Sequence, residues 1–82
     1  MDYNFTFTRD DGTWTVQVDP SALYGCFERD SDGTCGGLWF RKAHLSGKPI
    51  IKLIDYDGVV VLPKAVTAIL RDAGYIVSKD FE

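Results

Sequence analysis

Apolar and polar residues alternate at the start of the chain. Tyr3, Phe5 and Phe7 fall on one side, and Asn4, Thr6 and Thr8 on the other. A period of two is that of a half-buried strand. Trp14, Val16 and Val18 repeat the pattern against Thr13, Thr15 and Gln17. Between the two runs lies Arg9-Asp10-Asp11-Gly12, whose Asp-Gly pair signals a tight turn, so residues 3–18 read as a β-hairpin. Asp19-Pro20-Ser21-Ala22-Leu23-Tyr24-Gly25 reads as one helical turn. Asp19 is placed to cap it, Pro20 suits the first helical position and Gly25 ends it.

A second hairpin is expected where residues 26–29 and 34–41 flank Asp30-Ser31-Asp32-Gly33. Gly36-Gly37 interrupts its second strand and points to a bulge or a close backbone approach. Residues 43–49, with Ser46-Gly47 inside, read as a loop. Ile50, Ile51, Leu53 and Ile54 then form an apolar strand broken by Lys52, and Val59, Val60 and Val61 form another. Asp57-Gly58 reads as the turn joining antiparallel strands 50–55 and 59–61. Beyond this the period changes. Leu62, Val66, Ile69, Leu70 and Ala73 make a helical stripe opposed to Lys64, Thr67, Arg71 and Asp72. Pro63 suits the first helical position and Gly74 the C′ position. Tyr75-Ile76-Val77 packs back as a short strand or an ordered tail. The pattern therefore predicts an α+β fold, an antiparallel sheet of hairpins packed against one C-terminal α-helix over 63–73. The expected core is Tyr3, Phe5, Phe7, Trp14, Val16, Val18, Leu53, Val60, Val66, Ile69 and Leu70.

Composition limits the setting. The chain has 82 residues, 45% of them hydrophobic, and a net charge of -3, as suits one compact domain spanning 1–82. No stretch approaches the roughly 20 apolar residues of a membrane span. No basic region leads an apolar one at the N-terminus, so no secretory signal is read and a soluble, cytoplasmic protein is expected.

Charge is unevenly placed. Residues 1–35 carry seven acids and two bases, whereas residues 36–54 carry Arg41, Lys42, Lys48 and Lys52 and no acid. That segment is a candidate phosphate-contact stripe, with Trp39 or Phe40 available to stack on a base. The acidic total and the few arginines argue against nucleic acid as the main partner. The reverse arrangement, an acidic mimic of nucleic acid through Asp10, Asp11, Asp30 and Asp32, has little support from a charge of -3.

Candidate chemistry is sparse. Cys26, Cys35 and the lone His44 match no spaced zinc motif, and no cofactor or metal site is read. The two thiols stay reduced in a cytosolic setting, or join if they face each other across a hairpin. Asp30-x-Asp32-Gly33 is too short for a calcium loop and lacks its closing glutamate. The stretch "LIDYDGVV" ends a hydrophobic run in Asp55-x-Asp57-Gly58-Val59, and resembles the first motif of the haloacid-dehalogenase-like phosphatases. That resemblance implies Asp55 as nucleophile, Asp57 as general acid and a magnesium ion between them. It covers about ten residues. That family is built on a parallel sheet with crossover helices, and the chain after Asp57 has room for one strand and one helix. The residues themselves read as a hairpin turn, so the sequence argues against an enzyme.

The segments "YGCFERDSDGTCGGLWF" and "LIDYDGVVVLPKAVTAILRDAGY" resemble small accessory proteins of phages and prophages, over about half of the chain. The resemblance implies action on a host component and assigns no catalytic residue. Phe27, Leu38, Trp39 and Phe40 are the candidate interaction residues, for a protein partner or a homodimer. Three consecutive large apolar residues cannot all point inward from a strand, so at least one of Leu38, Trp39 and Phe40 faces outward. The leading expectation is thus a non-enzymatic, protein-binding accessory protein. Nucleic-acid contact through Arg41, Lys42, Lys48 and Lys52 is the second.

Overall fold

The computed structural model describes residues 3–10 and 12–81. Five strands, β1 (Tyr3–Arg9), β2 (Gly12–Asp19), β3 (Tyr24–Arg29), β4 (Cys35–Leu45) and β5 (Lys48–Tyr56), form one antiparallel sheet in sequence order. A helix, α1 (Lys64–Asp72), and a 3₁₀ turn (Lys79–Phe81) follow. The fold is α+β, as the pattern predicts.

Alternation decides the faces. Trp14, Val16 and Val18 of β2, Phe27 of β3, Leu38 and Phe40 of β4 and Leu53 of β5 all point to one side and are buried. Their cover is Leu62, Ala65, Val66, Ile69, Leu70, Tyr75 and Val77. The helix packs most closely on β1 and β2. The returning segment covers the other half, with the Tyr75 ring 5.2 Å from Phe40 and the Phe81 ring 5.9 Å from Tyr56. Phe5 and Phe7, at the sheet edge, are half-buried against this core. The side chain of Tyr3 lies outside the described residues.

Several local expectations need correction. Residues 59–61 form no strand, and Val60 is 95% exposed rather than in the core. The edge of β5 on which such a strand would lie is taken by Ile76, in a parallel bridge with Lys52. Residues 43–49 are not a loop. β4 and β5 run through them to a two-residue turn at Ser46-Gly47, both with positive φ (52° and 79°). Positive φ at both central residues is the type I′ geometry that matches strand twist. In the first hairpin, Gly12 already pairs with Arg9, so Asp-Gly is not the central pair of the turn. Asp19 does cap the next segment, accepting from the backbone N–H of Ser21 and Ala22 (2.9 and 3.2 Å). The left-handed residue that ends it is Leu23, not Gly25, which lies within β3.

Pro63 is the N-cap of α1, its carbonyl accepting from Val66 and Thr67. At the other end Gly74 has φ 98°. Its N–H donates to Arg71 and that of Tyr75 to Leu70, a Schellman closure in which Tyr75 and Leu70 both belong to the core. Thr67, expected on the polar side, is buried; its hydroxyl donates to the Lys64 carbonyl at 2.9 Å, which satisfies it locally.

The β3–β4 turn is held by an acid. The Arg29 guanidinium grips Asp32 with two bonds (3.1 and 2.7 Å), and Asp32 also accepts from the Thr34 N–H at 3.0 Å. The same guanidinium lies 5.0 Å from the centre of the Trp14 ring. Hydrogen bonds from Arg29 hold the Asp32 carboxyl well below the usual carboxylate range, with those from Thr34 adding to this. A depressed folded-state value stabilises the fold above the ordinary carboxylate pKa near 4 and is lost as pH falls below it. Asp32→Ala should therefore lower the melting temperature slightly at neutral pH, and the difference from wild type should shrink as pH drops below about 4. Thermal melts from pH 7 to pH 2 read this directly.

Candidate interaction site

The candidate surface is the sheet face turned away from the helix, and a bulge shapes it. Trp39 pairs with Asp55 but Phe40 pairs with Leu53, leaving Ile54 as an extra residue in β5. Leu38 opposite Tyr56 and Phe40 opposite Leu53 therefore both face the core, although Tyr56 lies three positions after Leu53, an odd step that would otherwise change sides. Trp39, Ile54 and Asp55 are left exposed.

Trp39 lies beside a glycine. A Cβ built on Gly37 would meet the Trp39 ring at 3.0 Å, an Asp57 carboxylate oxygen at 3.1 Å and the Tyr24 hydroxyl at 3.2 Å. Tyr24, the cross-strand neighbour of Trp39, stacks edge-on against it, with ring centres 5.5 Å apart. The two aromatic rings thus shelter Gly37, an aromatic cover over a glycine in a sheet. They keep substantial surface even so, with Trp39 37% and Tyr24 44% exposed.

Asp57 braces the same spot. Its carboxylate accepts from the Gly37 N–H at 2.7 Å, and its own N–H donates to the Gly37 carbonyl at 3.1 Å. Gly58, with φ 88°, lets the chain turn away next to Gly36. Asp57-Gly58 is therefore a brace against β4, not a hairpin turn between strands. Asp55 accepts from the N–H of Tyr56 at 2.8 Å. β5 has an antiparallel neighbour on one side and a single parallel bridge on the other, unlike the sheet that the phosphatase resemblance implies. Among the described residues no group of three or more His, Cys, Asp or Glu is placed to hold a metal ion.

Of the four candidate interaction residues, only Trp39 reaches the surface. Phe27, Leu38 and Phe40 are buried in the core, because they share the parity that points toward the helix. The basic segment is divided in the same way. Pairing of Arg41 with Lys52 and of Leu45 with Lys48 puts three bases on the face of Trp39, while Lys42 pairs with Ile51 on the other. Arg41, Lys48 and Lys52 make no ion pair with a described residue. Cys26 and Cys35 are free thiols, and Cys26 donates weakly to Gln17 (3.8 Å). His44 lies apart from both, on a cleft of about 520 Å³ beside Lys42 and the end of α1. Tyr24, Ile54 and Ile76 are exposed residues that reading the sequence missed. Tyr24 was legible as the alternation partner of Cys26 on β3; Ile54 was not, since the bulge sets its exposure.

No helix of the described residues is long and apolar enough to cross a membrane. Comparison with family models, curated proteins and solved structures returns no match.

Proposed function

We propose that this domain is a non-enzymatic accessory protein that works by docking on another protein through the face centred on Trp39. One observation carries the reading: a tryptophan and a tyrosine remain half-open to solvent on the face opposite the helix, a face they share with three bases that make no ion pair with a described residue. Trp, Tyr and Arg are the residues most enriched among those that dominate interface energies. The surface suits a partner with apolar groups ringed by carboxylates, which Arg41, Lys48 and Lys52 complement. The likeness of two segments to phage and prophage accessory proteins supports a host component as that partner.

Trp39→Ala should abolish binding while costing only about 1 kcal/mol of stability, the range of an exposed aromatic pair. The measurement is capture of host proteins by wild type and variant, alongside their melting curves. A partner retained by Trp39→Ala, or a variant that melts like a core deletion, would sink the reading. The shared face of Trp39, Arg41, Lys48 and Lys52 favours one competitor, stacking on single-stranded nucleic acid. Titration of labelled DNA and RNA decides between them. Binding that weakens steeply with salt supports nucleic acid, and no binding at low salt removes it.

A further inference from the structure

The two edges of the sheet are finished differently. Along β5, the Leu53 N–H donates to the Ile76 carbonyl at 2.9 Å and the Ile76 N–H to the Ile51 carbonyl at 3.0 Å. The same strand holds Lys48, Pro49, Lys52 and the bulge at Ile54. A covering segment, lysines, proline and a bulge are the devices that stop a sheet edge from recruiting another strand. β1, at the other edge, has none of them. It pairs with β2 in unbroken register from Tyr3–Val18 to Arg9–Gly12, and no described segment pairs with its outer side.

The direction of its free groups follows from one bond. The Asp30 N–H donates to the Thr13 carbonyl, so Thr13 directs its backbone groups toward β3. In an antiparallel ladder these directions alternate, so Trp14, Val16 and Val18 direct theirs toward β1. Their partners there are Phe7, Phe5 and Tyr3. Asn4, Thr6 and Thr8 therefore turn their N–H and C=O groups outward.

We propose that β1 pairs antiparallel with β1 of a second copy of this chain, about a two-fold axis at Thr6, to make one ten-stranded sheet. The strand is nearly symmetric about that residue: Phe5 and Phe7 flank it, then Asn4 and Thr8. In this register Thr6 meets Thr6, and Asn4 meets Thr8 of the second copy, so the three outward-turned residues of each chain satisfy one another. Phe5 lies beside Phe7 of the second copy on the core side. Cross-strand aromatic and threonine pairs of this kind favour pairing, and the contact is isologous as a two-fold requires. One strand pair buries less than the roughly 1,000 Å² of a stable interface, so the dimer is weak.

Sedimentation velocity over a wide concentration range tests this. Wild type should pass from monomer to dimer as concentration rises. Thr6→Pro removes the central outward N–H but spares the amides that face β2. It should stay monomeric with an unchanged circular dichroism spectrum. Thr6→Lys sets two like charges at the axis and should also be monomeric, with the dimer returning at high salt. Should Thr6→Pro fail to fold, Thr6→Lys decides alone. Trp39→Ala should dimerise as wild type does. A wild type that is monomeric throughout, a dimer undiminished by Thr6→Lys, or a dimer lost in Trp39→Ala would each overturn the proposal.

Discussion

Phe27→Ala should destabilise the domain by about 3–5 kcal/mol, the range for removing a large buried aromatic side chain. The whole stability of a chain this short is on the order of 5–10 kcal/mol. The variant should therefore be largely unfolded near 37 °C, or melt far below wild type. The reason is position. Phe27 is 1% exposed, its ring centre is 6.0 Å from that of Trp14, and its tip lies against β4 at Gly36. Binding experiments on this variant would report unfolding and not a lost contact. Urea denaturation of Phe27→Ala beside Trp39→Ala separates the two roles. Similar midpoints for the pair would contradict the assignment of one to the core and the other to the surface.

Gly36→Ala should cost about 3 kcal/mol or more, the upper end for overpacking. A Cβ there would run into the Asp57 carbonyl oxygen and lie 2.7 Å from the Phe27 ring. The first obstacle is main chain, which cannot swing aside as the end of a lysine would. Moving it pulls Asp57 away from Gly37 and breaks both bonds of the brace. Gly33→Ala makes the control. Gly33 has φ 72° but open space around it, so only the left-handed backbone penalty of about 1 kcal/mol applies. Equal losses for the two alanines in urea titrations would show that the close approach carries no weight.

The sequence patterns that succeeded were long and regular. The hairpin of β1 and β2 follows from two unbroken alternations, and α1 from a stripe of Val66, Ile69 and Leu70 closed by Gly74. What failed was context. Val59, Val60 and Val61 have the intrinsic preference of a strand, but a strand needs an edge to join, and Ile76 holds it. Half of the site was readable. Parity alone says that Leu38 and Phe40 share a side and Trp39 takes the other; choosing the inward pair needs only its partner Phe27, across from Gly36. The exposure of Ile54 was hidden, because a bulge resets parity without a local signature in the residues. The role of Asp57 was hidden for a different reason. Its partner Gly37 lies twenty residues away, and a short-range turn rule cannot reach it.

The order in which the elements follow one another has a consequence for synthesis. Every strand pairs with its neighbour in sequence, so the sheet can zip up hairpin by hairpin as the chain emerges. The lid does not exist at that stage. Trp14, Val16 and Val18 are made early, yet α1, which covers their half of the sheet, arrives only after β5. A nascent chain stalled before residue 64 would present a completed sheet with one greasy face, a natural client for chaperones and proteases. Arrival of the helix is then the event that commits the molecule to its native state.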